Sequence, residues 1–225
     1  PSAVAPLARS STVDLIATEL RIAIFTGALP VGSALREVEI SSQLGVSRSP
    51  FREAAQRLVQ EGLLTAVPGR GLRITQITGA GITDVYEHRL AIESQAVRRL
   101  ITEGRSGQQQ YLVALTNSFQ NFQRASQGDD AWAIGDADLA FHQTLVDLAG
   151  SPRLSRAMAT LVIETRIISL SAQDGYAVRK SISPTYGVLL QAIEEHNVDR
   201  AIAALEKQFA DAVSRLRGED SSVDV

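Results

Sequence analysis

Two small sets of side chains in this 225-residue sequence have the types and spacing to do chemistry. The first is Ser47, Arg48, Ser49 and Arg52, joined downstream by Arg70 between two glycines. Small hydroxyls and planar guanidinium forks bind phosphate oxygens, and Arg also grips a guanine edge through two parallel hydrogen bonds. The second set is Asp138 with His142, four residues on. In a helix that spacing stacks a carboxylate and an imidazole on one face, one turn apart. Such a pair suits a divalent ion such as zinc, or equally an ordinary hydrogen bond lining a polar cavity.

The elements that must hold the first set can be read around it. Val38, Ile40 and Leu44 predict the apolar stripe of a short helix, Gly45 stands where that helix must end in a left-handed residue, and Ser47 is placed to cap a second helix. The second helix opens with Pro50, tolerated in a first turn, and turns Ala54, Ala55, Leu58 and Val59 inward. Ser47, Arg48, Ser49 and Arg52 then cluster at its N-terminal end, where amides and dipole favour phosphate and the width suits a major groove. Gly62 closes the helix. LLTAV, the turn PGRG and LRITQI predict a two-stranded hairpin, a wing with Arg70 at its tip. In the competing reading, Arg48 and Arg52 are solvated charges on a helix that packs against another protein. That reading leaves the agreement of caps, turn glycine and wing unexplained. Arg57 is expected at the surface.

At these residues the chain resembles the GntR family of bacterial transcription regulators, whose N-terminal domain carries a run much like LGVSRSPFREAAQRLVQEGLL followed by a P-x-R-G wing. A helix from Thr12 to Thr26 and the turn GALPVGSAL extend the likeness upstream. The resemblance implies operator double-stranded DNA as the partner. It places the contacts on Ser47, Arg48, Ser49 and Arg52 of the recognition helix and on Arg70 and Gly71 of the wing, with Arg36 as a further phosphate contact.

Composition bounds the alternatives. The sequence is 44% hydrophobic, long enough for two cores, and has no apolar run approaching the roughly 18 residues that cross a membrane. It has no cysteine, hence no disulfide or thiolate metal site, and no charged-then-apolar leader, so a soluble, cytoplasmic protein is expected. PSAVAPLARSS reads as disordered. The only methionine is Met158, which suggests that an initiator residue was removed or lies upstream. The net charge of −3 divides unevenly: residues 1–78 hold 8 Arg against 6 acidic residues, the remainder 14 basic against 19 acidic. A weakly basic head on an acidic body favours a specific nucleic-acid binder over indiscriminate coating.

After Ile77 the texture changes. Thr83 or Asp84 is suited to capping, and segments near 83–103, 107–127, 131–149, 152–171, 178–195 and 198–217 carry apolar residues at helical spacing. Short breaks at GRSG, QGDD, AGSP, QDGY and HNVD fit an antiparallel bundle of six or seven helices. VYEHRLAIESQAV and DADLAFHQTLVDLAGSPRL resemble the ligand-binding domain of the FadR subfamily of GntR proteins, the FCD domain. That resemblance implies an effector cavity in which many members hold a divalent metal, with Asp138 and His142 as the first two ligands. The other two ligand positions, His in the pattern, fall on Tyr186 and Gln208. A phenol and an amide would hold Zn, Ni or Mn poorly. Without an ion, Asp138, His142, Tyr186 and Gln208 would anchor a small polar effector. His196 falls in a turn outside the cavity and His88 at the surface. Arg89 and Arg166 could clamp an effector carboxylate, or could form salt bridges to neighbours such as Glu93 and Glu164. Leu90, Phe141, Leu145 and Ile167 would be wall, or plain core.

The expected architecture is mainly α: a winged helix-turn-helix over residues 10–77, then an all-helical effector-binding and dimerisation domain over 80–218. The expected function is a homodimeric DNA-binding regulator, a repressor relieved by a carboxylate metabolite, and not an enzyme. A metal-assisted hydrolase on Asp138 and His142 is the rival of another class, but HExxH, a nucleophile elbow and cysteine are all missing. An architectural DNA protein without effector is the other.

Overall fold

In the computed structural model, which describes residues 11–103, 109–171 and 184–218, helix α1 (Thr12–Phe25) begins at a capping box. The Ser11 hydroxyl accepts from the Asp14 amide at 3.2 Å and the Asp14 carboxylate accepts from the Ser11 amide at 2.9 Å. These bonds and Arg57 hold the Asp14 carboxyl down to about 2. Helices α2 (Glu37–Gln43) and α3 (Arg48–Gln60) follow, then strands β1 (Leu64–Val67) and β2 (Gly71–Ile74). The strands pair antiparallel with Leu64 opposite Ile74 and Val67 opposite Gly71. Ile16, Ala17, Leu20 and Ile24 of α1 are buried, as are Phe51, Ala54, Ala55 and Leu58 of α3. Outside this core, Arg21 of α1 grips Glu61 through two hydrogen bonds of 2.8 and 2.6 Å, and Arg57 of α3 bonds Asp14.

The chain divides into two compact units between Gln76 and Ile77. Beyond that point the described residues form α4 (Ala80–Thr102), α5 (Gln109–Ser126), α6 (Ala131–Leu148), α7 (Pro152–Ser171), α8 (Thr185–Glu194) and α9 (Val198–Arg217). Helix α4 packs against α6, α7 and α9, α5 lies on α6, and α8 lies on α9. The core they enclose includes Val97, Leu100, Leu115, Phe141, Leu145, Leu189 and Leu205. Asp130 caps α6 by accepting from the Trp132 and Ala133 amides. Asn197 caps α9, which ends at Gly218 in the left-handed region.

Several expectations need correction. The stripe of α2 is not buried as predicted: Val38 is 60% exposed and Leu44 36%, while Ser41 is inside. A seven-residue helix makes only about two turns and can press a narrow line of residues on its neighbour. Here that line passes through Ser41, with Glu37 and Ile40 half-buried beside it. Ser47 occupies the N-cap of α3, but its side chain makes no capping bond. Val59 is only half-buried, and Phe51, absent from the predicted inward face, is fully buried. Arg57 is half-buried and paired rather than simply solvated. Helix α4 starts three residues before Thr83, from Gly79 at φ 55°, a backbone state open to glycine where Thr83 and Asp84 offered only a side-chain cap. The segment 178–183, the breaks GRSG and QDGY, and all but the last residue of PSAVAPLARSS lie outside the described residues.

Candidate functional site

The first candidate surface is the N-terminal end of α3. Gly45, at φ 64°, turns the chain between α2 and α3, so the two helices meet with a minimal connection. Ser47, Arg48, Ser49 and Arg52 are all exposed. Among the described residues Arg48 has no acidic partner, whereas the Arg52 Nε donates to Glu37 Oε2 at 3.0 Å. Arg70 is exposed at the hairpin tip, with Gly69 at φ 69° and Gly71 at φ 78° on either side, and both glycines have open space around them. A groove of about 470 Å³ runs between α3 and the hairpin, lined by Glu37, Arg52 and Gln56 and, on the hairpin, by Val67, Pro68, Gly69 and Gly71. Arg36 is exposed and pairs with Glu39 one turn on at 3.3 Å. The arrangement can present guanidinium groups, hydroxyls and the positive end of a helix to an anionic polymer.

The second candidate is a polar cluster inside the helical unit. Arg89, Glu93, Asp138, His142, Tyr186 and Gln208 are each 6% exposed or less. Helix α4 supplies Arg89 and Glu93 one turn apart, with the Arg89 Nε donating to Glu93 Oε1 at 3.1 Å. Burial opposes the Arg89 charge, but Glu93 together with Tyr86, Asp138 and Tyr186 holds the guanidinium above its usual range. Its guanidinium lies 4.6 Å from the Phe209 ring centroid and 5.2 Å from that of Tyr86. The other Glu93 oxygen is 2.5 Å from His142 Nδ1. On the far side of the imidazole, Nε2 is 3.1 Å from Gln208 Nε2 and 3.3 Å from the Tyr186 hydroxyl, which itself donates to Asp138. With the ring proton on Nδ1, His142 donates to Glu93 and accepts from Gln208. Phe119, Phe122 and Phe141 surround the Tyr186 ring with centroids 5.1 to 5.9 Å away.

These residues do not fit a divalent ion. Asp138, His142, Tyr186 and Gln208 do converge, but they bond to one another: the phenol donates to the carboxylate and the amide approaches the imidazole nitrogen that an ion would need. A neutral phenol and a neutral amide complete the set, where tetrahedral sites use imidazole, thiolate or carboxylate.

Sequence reasoning missed Glu93 as the partner of His142, 49 residues away, although Arg89 does pair with Glu93. Arg166 is paired with Asp136 rather than Glu164, and its guanidinium lies 4.1 Å over the Trp132 ring. Trp132 and Asp136 share a face of α6, about 200° around the helix from Asp138 at 100° per residue, so Arg166 meets a different face from the cluster. Burial pushes the Glu164 carboxyl up, against an opposing pull from His88. His88 is exposed and bonded to the Asp84 carbonyl, and His196 stands in the turn after α8 at φ 57°. Phe141, Leu145 and Ile167 are buried and Leu90 is half-buried.

Comparison with known proteins matches residues 12–74 to bacterial regulatory proteins of the gntR family and residues 84–211 to the FCD domain. The chain is 32% identical over 188 residues to the Nta operon transcriptional regulator of Aminobacter aminovorans, covering 83% of this chain and 88% of that one. It is 26% identical over 215 residues to the gluconate operon transcriptional repressor of Bacillus licheniformis, covering 93% and 87%. The fold is that of a GntR transcriptional regulator crystal structure from Rhodococcus sp. RHA1, with a TM-score of 0.75 at 24% identity over 93% of this chain and 99% of that one. The family consists of transcription regulators, which are not enzymes, and no helix among the described residues is long and apolar enough to cross a membrane. The chain, a helix-turn-helix with its wing followed by a helical unit that holds a buried polar cluster, thus belongs to the GntR family of transcriptional regulators, with an FCD domain as its effector-binding part.

Proposed function

We propose that the chain is a cytoplasmic, homodimeric repressor that binds operator half-sites through Ser47, Arg48, Ser49, Arg52, Arg70 and Gly71, with Arg36 on a flanking phosphate. The observation that carries this reading is the division of labour on α3, where Phe51, Ala54, Ala55 and Leu58 make the core while Ser47, Arg48, Ser49 and Arg52 are all exposed. A dimer reads half-sites about 34 Å apart or at related spacing, so a change in the placement of its two heads changes affinity. Relatives named as repressors of gluconate and D-xylose utilization operons support repression.

The effector in this reading is a small organic acid bound at Arg89, Asp138, His142, Tyr186 and Gln208, without a metal and without catalysis; Arg166, paired with Asp136 on another face of α6, takes no part in it. One buried atom of the cluster has no hydrogen-bond partner, Gln208 Oε1, which can accept from a hydroxyl; Arg89, whose Nη2 stands 3.1 Å from Glu93 Oε1, is the buried cation that would attract a carboxylate. A tenfold loss of operator occupancy needs a differential affinity of only ~1.4 kcal/mol between the two arrangements of the dimer. The test is a thermal-shift screen of organic acids on the full chain, followed by gel shifts of the hits on duplex DNA selected by the protein itself. Acids that stabilise the protein and release the DNA support the reading; stabilisation with unchanged DNA affinity removes it.

A further inference from the structure

Glu37 is an acid at the edge of a surface read as meeting an anionic polymer. It is the first residue of α2, its side chain is 29% exposed, and its Oε2 accepts from Arg52 Nε at 3.0 Å. Exposed ion pairs contribute little to stability. The Arg52 side chain is 64% exposed, so the contact cannot be explained as part of the core.

A guanidinium group has separate hydrogen-bonding edges. With Nε committed to Glu37, the two terminal nitrogens of Arg52 form the remaining fork, the geometry that matches O6 and N7 of guanine. Both residues line the groove between α3 and the wing, beside Gln56 and, on the wing, Val67, Pro68, Gly69 and Gly71. We infer that Glu37 is a positioning and specificity-determining residue: it aims Arg52 at a base edge and, by its own charge, penalises every complex in which Arg52 is drawn away to a phosphate. On a sequence without the right base, the carboxylate faces the DNA backbone uncompensated, which lowers non-specific affinity. Glu37 thus raises the ratio of specific to non-specific binding rather than binding strength as such.

This inference rests on the reading of α3 as the DNA-contacting helix, and the experiment separates the two. The probes are a duplex selected by the full-length wild-type protein from a randomised pool, its single-base-pair variants, and a random duplex of equal length, at one fixed salt concentration. Glu37→Gln is expected to lower the specific-to-random affinity ratio by about tenfold, relaxing preference at the base pair that Arg52→Ala also relaxes. Affinity for the random duplex should stay level or rise, and thermal unfolding should not shift. Glu37→Asp should restore part of the ratio, and Glu37→Gln should add nothing in an Arg52→Ala background. A Glu37→Gln protein with an unchanged ratio, relaxation at a different base pair, or equal loss on both duplexes overturns the inference while Arg52→Ala still weakens binding. If Arg52→Ala weakens all duplexes alike, Arg52 lies on phosphate and the inference falls while the α3 reading stands; if neither Arg52→Ala nor Arg48→Ala weakens binding, both fall.

Discussion

His142 and Glu93, contributed by α6 and α4, meet with Nδ1 2.5 Å from Oε2 in a site where neither side chain exceeds 1% exposure. A carboxylate behind a histidine ring commonly fixes a metal ligand, orienting the imidazole toward its ion. In this chain the forward nitrogen meets an amide and a phenol instead. After dialysis the purified protein should therefore retain well under one equivalent of zinc, nickel or manganese by elemental analysis. Tyr186→His with Gln208→His should raise retention toward one equivalent, because it restores three imidazoles and a carboxylate around a spot where the backbone already converges. Full occupancy of the wild type would contradict the first statement.

Arg89 and Glu93 form a buried ion pair, so removing one partner leaves the other charge uncompensated. Arg89→Ala should lower unfolding free energy by about 3–5 kcal/mol, measured by urea denaturation. Arg89→Met with Glu93→Gln should cost markedly less, since the amide still accepts from His142. Equal losses in the single and double variants would mean that the pair contributes as packing alone.

Operator binding should depend on Arg48 and Arg52 without any change in folding. Arg48→Ala and Arg52→Ala should each cost on the order of 1–3 kcal/mol in gel-shift titrations at fixed salt, with helicity and association state unchanged. A residue on phosphate should weaken all duplexes alike and reduce the salt dependence, whereas a residue on a base should relax preference at one position. Undiminished affinity in both variants would remove the assignment of α3.

Asp14 makes the acid limb of stability testable. Its carboxyl titrates at about 2 in the folded chain against 3.8 ordinarily, chiefly through the hydrogen bonds with Ser11 and then Arg57. A depressed carboxyl stabilises the folded state above its unfolded value and loses that contribution as pH falls from near 3.8 toward 2. The wild type and Asp14→Asn should thus differ most in thermal midpoint above pH 4 and converge toward pH 2. A gap that stays constant with pH would show that the capping geometry, not the charge, matters.

Much of this was legible in the sequence. Helices α7 and α9 run over the spans their periodicity predicted, because Pro152 and Asn197 start them and Gly218 ends α9 with chemistry specific to helix termini. The helix-turn-helix was legible for the same reason through Gly45, whose left-handed backbone makes the turn, whereas Ser47 marks the N-cap position without making a capping bond. Longer-range choices were not. Periodicity placed Asp138 and His142 on one face but could not show that Glu93, on another helix, would take Nδ1. Nor could it show that Arg166 would choose Asp136, 30 residues back, over Glu164 two residues away; neighbours at i and i−2 on a helix face apart. The exposed Val38 escaped detection because a two-turn helix offers too few positions for its pattern to mark a buried side.

The side chains of α3 that can touch a ligand and those that hold the helix in place are different residues. Ser47, Arg48, Ser49 and Arg52 can be exchanged while Phe51, Ala54, Ala55 and Leu58 keep the helix seated. Selection can therefore rewrite what the helix recognises without passing through unfolded intermediates. Randomising those four exposed positions should yield a library that is almost entirely folded, in which retargeted variants differ in preference and hardly at all in expression or solubility.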